Sequence, residues 1–157
     1  MHAGIGLLPE YFQAAIQISE RNNTFDSYEF EQANAAYYSN FIRRKYPSLK
    51  PGVNFNRAEG NRRMYKYMWG PSEFTATGTL RNYDRLDRLD DINVPVLWIT
   101  GEYDEARPST VKYYHSLTPV STFEIVHDAA HATMSDNQEE NVALIREFLD
   151  KLENKKH

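Results

Sequence analysis

The chain has 157 residues, of which 41% are hydrophobic and 25% charged, an ordinary composition for one globular domain. Its formal net charge of −4 disfavours non-specific binding to nucleic acid or anionic membranes, so we expect neither as a partner. It contains no cysteine, which excludes disulfides, thiolate zinc sites and a cysteine nucleophile.

The first part of the chain has helical patterning and few strand signals. Leu8, Phe12 and Ile16 recur at helical spacing after Pro9, which suits a first helical turn, so we expect a helix over about 9–20. Good helix formers predict a second helix over about 27–45, ending before Pro47, and a third over about 57–70. We therefore interpret residues 1–88 as a helical domain. Residues 84–91 are expected to form a charged turn that leads into the sheet, with Leu86 and Leu89 facing inward.

The second part, residues 89–157, alternates strands and helices. Apolar runs at 94–100 and 122–127 are typical of buried parallel strands, and 108–117 between them predicts a helix with Pro108 in its first turn. A final helix follows over about 135–156, where Ser135 and Gln138 fit a capping box. Strand, helix, strand, helix is the order that builds parallel sheets, so the predicted fold class is α/β.

Two polar side chains follow the predicted strands at matching positions. Asp104 lies four residues beyond Thr100, and His131 lies four residues beyond His127, at the two predicted strand ends. Because loops at the carboxyl ends of neighbouring parallel strands share one rim, Asp104 can accept the imidazole N–H of His131 and fix its tautomer. Each residue alone has a structural alternative, since Asp after Gly is common in turns and a lone His is more often structural. His127 competes with His131 but ends the strand itself, so we expect its side chain to face the flank of the sheet.

The stretches "GPSEFTATG" (70–78) and "GEYDE" (101–105) followed by a proline, in that order, resemble the proline iminopeptidases, which are α/β-hydrolases. The resemblance covers nearly the whole chain: residues 1–88 are similar to that family's helical cap, and 89–157 to the last βαβα portion of its core, with the amino-terminal half of the fold absent. It implies that Asp104 is the acid and His131 the base of a Ser-His-Asp triad. It also implies a peptide substrate with a free N-terminus, and no metal or cofactor.

A further carboxylate is implied in the cap. By the resemblance, Glu73 matches a glutamate that meets the substrate's α-amino group, and a second such glutamate is expected, with Glu31 or Glu29 as candidates. A buried carboxylate can select a charged N-terminus because it is left unpaired when an uncharged substrate binds. Taken without the resemblance, Glu73 fits a solvated surface residue, as most glutamates are.

The triad's serine is not found in the sequence. None of the seven glycines frames a serine in the G-x-S-x-G pattern of α/β-hydrolases, and Ser72 lacks a glycine two residues later. Asp and His alone cannot form an acyl-enzyme, so we expect a fragment that is inactive by itself and needs the missing half of the hydrolase. Another hydrolase chemistry, acting on esters or amides, and a non-catalytic binding module remain alternatives. Without a signal-peptide pattern or an apolar run near the roughly 20 residues of a membrane helix, we expect a cytoplasmic protein.

Overall fold

The computed structural model describes residues 4–45 and 59–154. These residues divide into two compact units, one comprising 4–37 and 59–84 and the other 38–45 and 85–154. The division at 84/85 lies close to the boundary expected at residue 88, but residues 38–45 join the second unit rather than the first.

The first unit is helical. Helix α1 spans Glu10–Asn22, with Pro9 as its N-terminal flanking residue, and ends at Asn23 in the left-handed conformation (φ 55°) that Asn tolerates well. Helix α2 spans Tyr28–Tyr37. It is shorter than the helix expected to residue 45, because Tyr38–Ile42 forms a π-helical turn. Helix α3 spans Glu59–Met68, and the chain then turns at Gly70 (φ 155°), where a Cβ would collide with the carbonyl of Thr75.

Aromatic side chains form much of the core of the first unit. The ring of Phe74, in the loop after α3, lies 5.9 Å from that of Phe30 and 4.7 Å from that of Tyr37. These three side chains and Ile16 are buried. Burial of side chains this large gives about 1.5–3 kcal/mol each, so the loop that carries Phe74 is held by packing as well as by its own hydrogen bonds.

The second unit contains a two-stranded parallel sheet. Strand β1 spans Val96–Gly101 and β2 spans Ser121–Val126, paired in register from Val96 opposite Ser121 to Gly101 opposite Val126. Helix α4, Pro108–Leu117, connects them and packs on both, with Pro108 in the first turn as predicted. The strands were expected to be buried, but most of their residues are half-buried. Within the described residues each strand pairs with one other strand, so the outer edge of each has no strand hydrogen-bonded to it there.

The carboxyl-terminal helix is divided in two. Helix α5 spans Thr133–Asp136 and α6 spans Gln138–Asn154. The predicted capping box of Ser135 and Gln138 is wrong, because Ser135 lies inside α5 and the side chain of Asn137 accepts the Glu140 N–H at 3.4 Å. The inward orientation expected for Leu86 is also wrong, since this residue is 38% exposed in a short 3₁₀ helix, Leu86–Arg88. In the described part of the chain, no helix is both long and apolar enough to cross a membrane.

Candidate active site

The predicted contact between Asp104 and His131 is present at the carboxyl ends of β1 and β2. Gly101 and Val126 are opposite one another in the sheet, so the loops that follow them leave from the same edge. The Nδ1 atom of His131 lies 3.0 Å from Oδ1 of Asp104, which is hydrogen-bonding distance. The parallel register thus brings together two residues that are 27 positions apart in the chain.

Asp104 is held firmly. The residue is 4% exposed, and its Oδ1 also accepts the Ala106 N–H at 2.8 Å. Its Oδ2 lies 3.2 Å from the hydroxyl of Thr100, a buried residue one position before the end of β1. These contacts supply a buried carboxylate with the partners that its burial demands. They also aim one of its oxygens at the imidazole.

His131 presents its other ring nitrogen away from this contact. Its side chain is 57% exposed, against 6% for that of Asp104. In a neutral imidazole one nitrogen carries the proton, and a carboxylate at Nδ1 selects the tautomer with the proton there. Nε2 is then the proton acceptor, which is the state that a general base requires.

The two loops are also joined through their backbones. The Tyr103 N–H donates to the Ala129 carbonyl at 2.9 Å, and Gly101 lies so close to the carbonyls of Ala129 and Ala130 that a Cβ would collide with both. Between the loops lies the Phe41 carbonyl, which accepts the N–H of Glu105 at 3.2 Å and that of His131 at 3.1 Å. The sequence did not predict the hydrogen bonds of the Phe41 carbonyl or the Thr100 hydroxyl, because such bonds produce no periodic pattern of residues in the sequence.

Comparisons with known proteins find relatives among the proline iminopeptidases. The proline iminopeptidase of Heyndrickxia coagulans is 39% identical over 150 residues, which is 92% of this chain and 50% of that protein. The crystal structure of VinJ matches with a TM-score of 0.84 and 30% identity, and that of proline iminopeptidase from Mycobacterium smegmatis with 0.78 and 31%. Each of these structural matches covers 94% of this chain and 50% of the other. No family model matches the chain.

This chain is a homologue of the carboxyl-terminal half of the proline iminopeptidases. Its fold is the corresponding portion of an α/β-hydrolase, as the sequence predicted: helices followed by a small parallel sheet. The chain spans about half the length of the curated proline iminopeptidases it matches.

The glutamates that the resemblance to proline iminopeptidases singled out lie in the first unit, whereas Asp104 and His131 lie in the second. Glu73 is half-buried in the loop after α3, where its carbonyl accepts the indole N–H of Trp69 at 2.9 Å. Glu31 and Glu29 are both exposed in the first turn of α2. Glu73 is thus the least exposed of the three.

His127, the competing histidine, bonds to Glu140 in α6 rather than to Asp104, and it is exposed rather than packed against the flank of the sheet as expected. Its side chain is 75% exposed, and its Nδ1 lies 2.6 Å from Oε1 of Glu140. This hydrogen bond, and the negative charge of Glu140, raise the pKa of His127 above its ordinary 6.5. The pair's position on the surface, with α6, fits a structural role.

Across residues 4–45 and 59–154, no group of three or more histidine, aspartate or glutamate side chains is arranged to hold a metal ion. The chemistry that the arrangement itself offers is proton transfer at Nε2 of His131, whose imidazole is oriented at Nδ1 by the buried carboxylate of Asp104.

Proposed function

We propose that this chain carries the acid and base of a serine aminopeptidase that releases N-terminal proline, or a similar residue, from short peptides. The observation that supports this most is the 3.0 Å contact between His131 Nδ1 and Asp104 Oδ1 at the shared edge of two parallel strands. Homologous proline iminopeptidases extend the proposal from a histidine–carboxylate pair to a substrate class.

In this mechanism His131 transfers protons and Asp104 orients it. A serine hydroxyl attacks the scissile carbonyl carbon while Nε2 of His131 takes the hydroxyl proton. The buried carboxylate of Asp104 stabilises the imidazolium that forms. His131 then gives the proton to the leaving amine as the C–N bond breaks, and water hydrolyses the acyl-enzyme by the same route in reverse.

The serine must come from a segment outside these 157 residues, because none of them forms the G-x-S-x-G turn. Asp104 and His131 can take up and orient a proton but cannot form the covalent intermediate. We therefore propose that the polypeptide by itself lacks peptidase activity and acts only together with the other half of the fold.

Glu73 is proposed to bind the α-ammonium group of the substrate. The residue is half-buried, and a carboxylate forms strong charge-assisted hydrogen bonds with an ammonium group. Glu31 is exposed in the first turn of α2, where a carboxylate also interacts favourably with the helix dipole. Glu31 is a second candidate for binding the α-ammonium group, and substitution of each glutamate in turn distinguishes it from Glu73.

A chimera tests the proposed function. The amino-terminal half of the Heyndrickxia coagulans proline iminopeptidase is fused upstream of this chain, and hydrolysis of proline p-nitroanilide is followed beside an ester and an acetylated-amine substrate. We expect the isolated chain to be inactive and the chimera to cleave the substrate with a free amine. His131→Ala in the chimera should lower kcat by about 10³-fold or more.

A matched histidine variant controls for loss of folding. His127→Gln removes an exposed imidazole at the end of the same strand and should leave kcat within about twofold, because His127 pairs with Glu140 rather than with Asp104. Turnover by the isolated chain, or a chimera whose activity survives His131→Ala, would contradict the proposal. A chimera that cleaves the ester and the acetylated substrate equally well would reassign it to general hydrolysis.

A further inference from the structure

A short segment remote in sequence holds the two candidate catalytic loops in register. The Phe41 carbonyl accepts the N–H of Glu105, next to Asp104, and the N–H of His131 itself. The following carbonyl, of Ile42, accepts the Ala132 N–H at 2.8 Å. Both Phe41 and Ile42 are 6% exposed, so these bonds are sheltered from water.

The carboxylate of Asp136 fastens that segment to the histidine loop. Its Oδ2 accepts the N–H of Ala130 at 2.9 Å and that of Arg44 at 3.1 Å. Its Oδ1 accepts the N–H of Lys45 at 2.9 Å. Asp136 is 4% exposed, and three backbone N–H groups are the partners that this buried carboxylate uses.

These bonds form a closed ring around His131. Asp136 binds the residue immediately before His131. The π-helical turn binds His131 and the residue after it, and Asp136 also binds Arg44 and Lys45, which follow that turn. The carboxylate of Asp136 accepts backbone N–H groups of both segments, so we expect it to act on the pair through the backbone.

We propose that Asp136 is a positioning residue, whose carboxylate sets the backbone of residues 130–132 so that the His131 imidazole meets Asp104. The inference rests on the proposed function, since it gives Asp136 a part in the same catalytic pair. Its physical basis is the sensitivity of proton transfer to geometry, in which a displacement of about 1 Å costs on the order of a hundredfold in rate.

Asparagine at position 136 is the informative substitution. It keeps the size of the side chain but replaces one acceptor oxygen with an NH₂ group, which cannot accept the N–H of Ala130 or of Lys45. The matched control is Asp128→Asn, which removes the same charge two residues before Ala130. Asp128 pairs with Lys45 Nζ at 2.8 Å, is 61% exposed, and has the positive φ (50°) that Asn tolerates.

The readout is the tautomer of His131, measured from the ring ¹⁵N chemical shifts at a pH where the imidazole is neutral. In the unsubstituted chain we expect the proton on Nδ1. Asp136→Asn should lower the ratio of the Nδ1–H to the Nε2–H tautomer by about fivefold or more, the equilibrium effect of losing one ordinary hydrogen bond. Asp128→Asn should leave the ratio unchanged. A folded Asp136→Asn variant with the original ratio would overturn the proposal.

Amide hydrogen exchange of the unsubstituted chain decides the matter if Asp136→Asn does not fold. If Asp136 sets this backbone, the amides it binds (Ala130 and Lys45) should open together with those of His131 and Ala132, with protection factors within about tenfold. The proposal would be overturned if the protection factors of the His131 and Ala132 amides exceeded those of the Ala130 and Lys45 amides by more than about a hundredfold. The backbone at 131–132 would then stay closed after the hydrogen bonds to Asp136 had opened.

Neither readout depends on turnover. If Asp136→Asn shifts the tautomer but the chimera lacks peptidase activity, the proposed function fails and the positioning role stands. If the chimera is active but the tautomer ratio does not change in Asp136→Asn, the positioning role fails and the proposed function stands.

Discussion

Oδ1 of Asp104 lies 3.0 Å from Nδ1 of His131, and the same oxygen accepts the Ala106 N–H at 2.8 Å. The carboxylate is therefore held by its own loop as well as by the histidine. This support matters chemically, because a carboxylate that is held independently can select the imidazole tautomer.

Removal of the Asp104 carboxylate should reduce stability. Asp104→Ala leaves the Ala106 N–H without the carboxylate oxygen that accepts it. The substitution also removes one of the hydrogen-bond acceptors near the Thr100 hydroxyl. We expect a loss of about 1–3 kcal/mol in the free energy of unfolding, measured by urea denaturation. Asp87→Ala, at an exposed position in the 3₁₀ helix, is the control and should change it by about 0.5 kcal/mol or less. Equal losses in the two variants would show that the buried contacts contribute nothing specific.

The close approach at Gly101 predicts a steric effect. An alanine Cβ there would meet the carbonyls of Ala129 and Ala130, backbone atoms that must move with the histidine loop. Gly101→Ala should therefore destabilise the chain by about 1–3 kcal/mol and lower activity in the chimera. Gly6→Ala, where no atom lies within 4 Å of the added Cβ, should have little effect on either measurement. The explanation is wrong if Gly101→Ala behaves like Gly6→Ala.

The pair of His127 and Glu140 predicts a pH dependence of stability. Their hydrogen bond raises the pKa of His127 above 6.5 and lowers the pKa of Glu140 below 4.5. The contribution of His127 is then fully present below pH 6.5 and is lost as the pH rises through its raised pKa. That of Glu140 is present above pH 4.5 and is lost as the pH falls through its lowered pKa.

The stability difference between the unsubstituted chain and His127→Gln should therefore be largest between pH 4.5 and pH 6.5 and shrink as the pH rises through the raised pKa of His127. Urea unfolding of both proteins over a pH series measures it. A difference that stays constant or grows as the pH rises would refute the assignment. In Glu140→Gln, an NMR titration should return the pKa of His127 towards 6.5.

Substitution in the chimera separates the two candidate glutamates. Glu73→Gln should lower kcat/KM for proline p-nitroanilide by about tenfold to a hundredfold, as expected for a charged hydrogen bond of about 1.5–3 kcal/mol. Glu31→Gln, at an exposed position of α2, is the comparison and should stay within about twofold. A larger effect at Glu31 than at Glu73 would transfer the amine-binding role to Glu31.

Local patterns predicted the elements that carry the catalytic pair. Pro108 predicted the start of α4, and apolar runs predicted both strands to within two residues. These features depend on residues that are close together in the sequence, so local patterns reveal them. Parallel pairing then placed Asp104 and His131 at one edge. Geometry that depends only on strand direction and residue spacing can be anticipated in this way.

The supports of the pair could not be predicted, because they depend on contacts between distant residues. The bond from His131 to the Phe41 carbonyl and those from Arg44 and Lys45 to Asp136 join segments about 90 residues apart. A continuous helix was expected where the π-helical turn Tyr38–Ile42 supplies that carbonyl. The Ser135 capping box failed because Ser135 lies inside α5, and the side chain of Asn137 accepts the Glu140 N–H instead.

The most direct test of the central claim is the tautomer of the neutral His131 ring, compared between the unsubstituted chain and Asp104→Asn by ring ¹⁵N chemical shifts. We expect the neutral His131 ring to carry its proton predominantly on Nδ1 in the unsubstituted chain and to lose that preference in Asp104→Asn. A predominant Nε2–H form, or a ratio indifferent to the substitution, would contradict it.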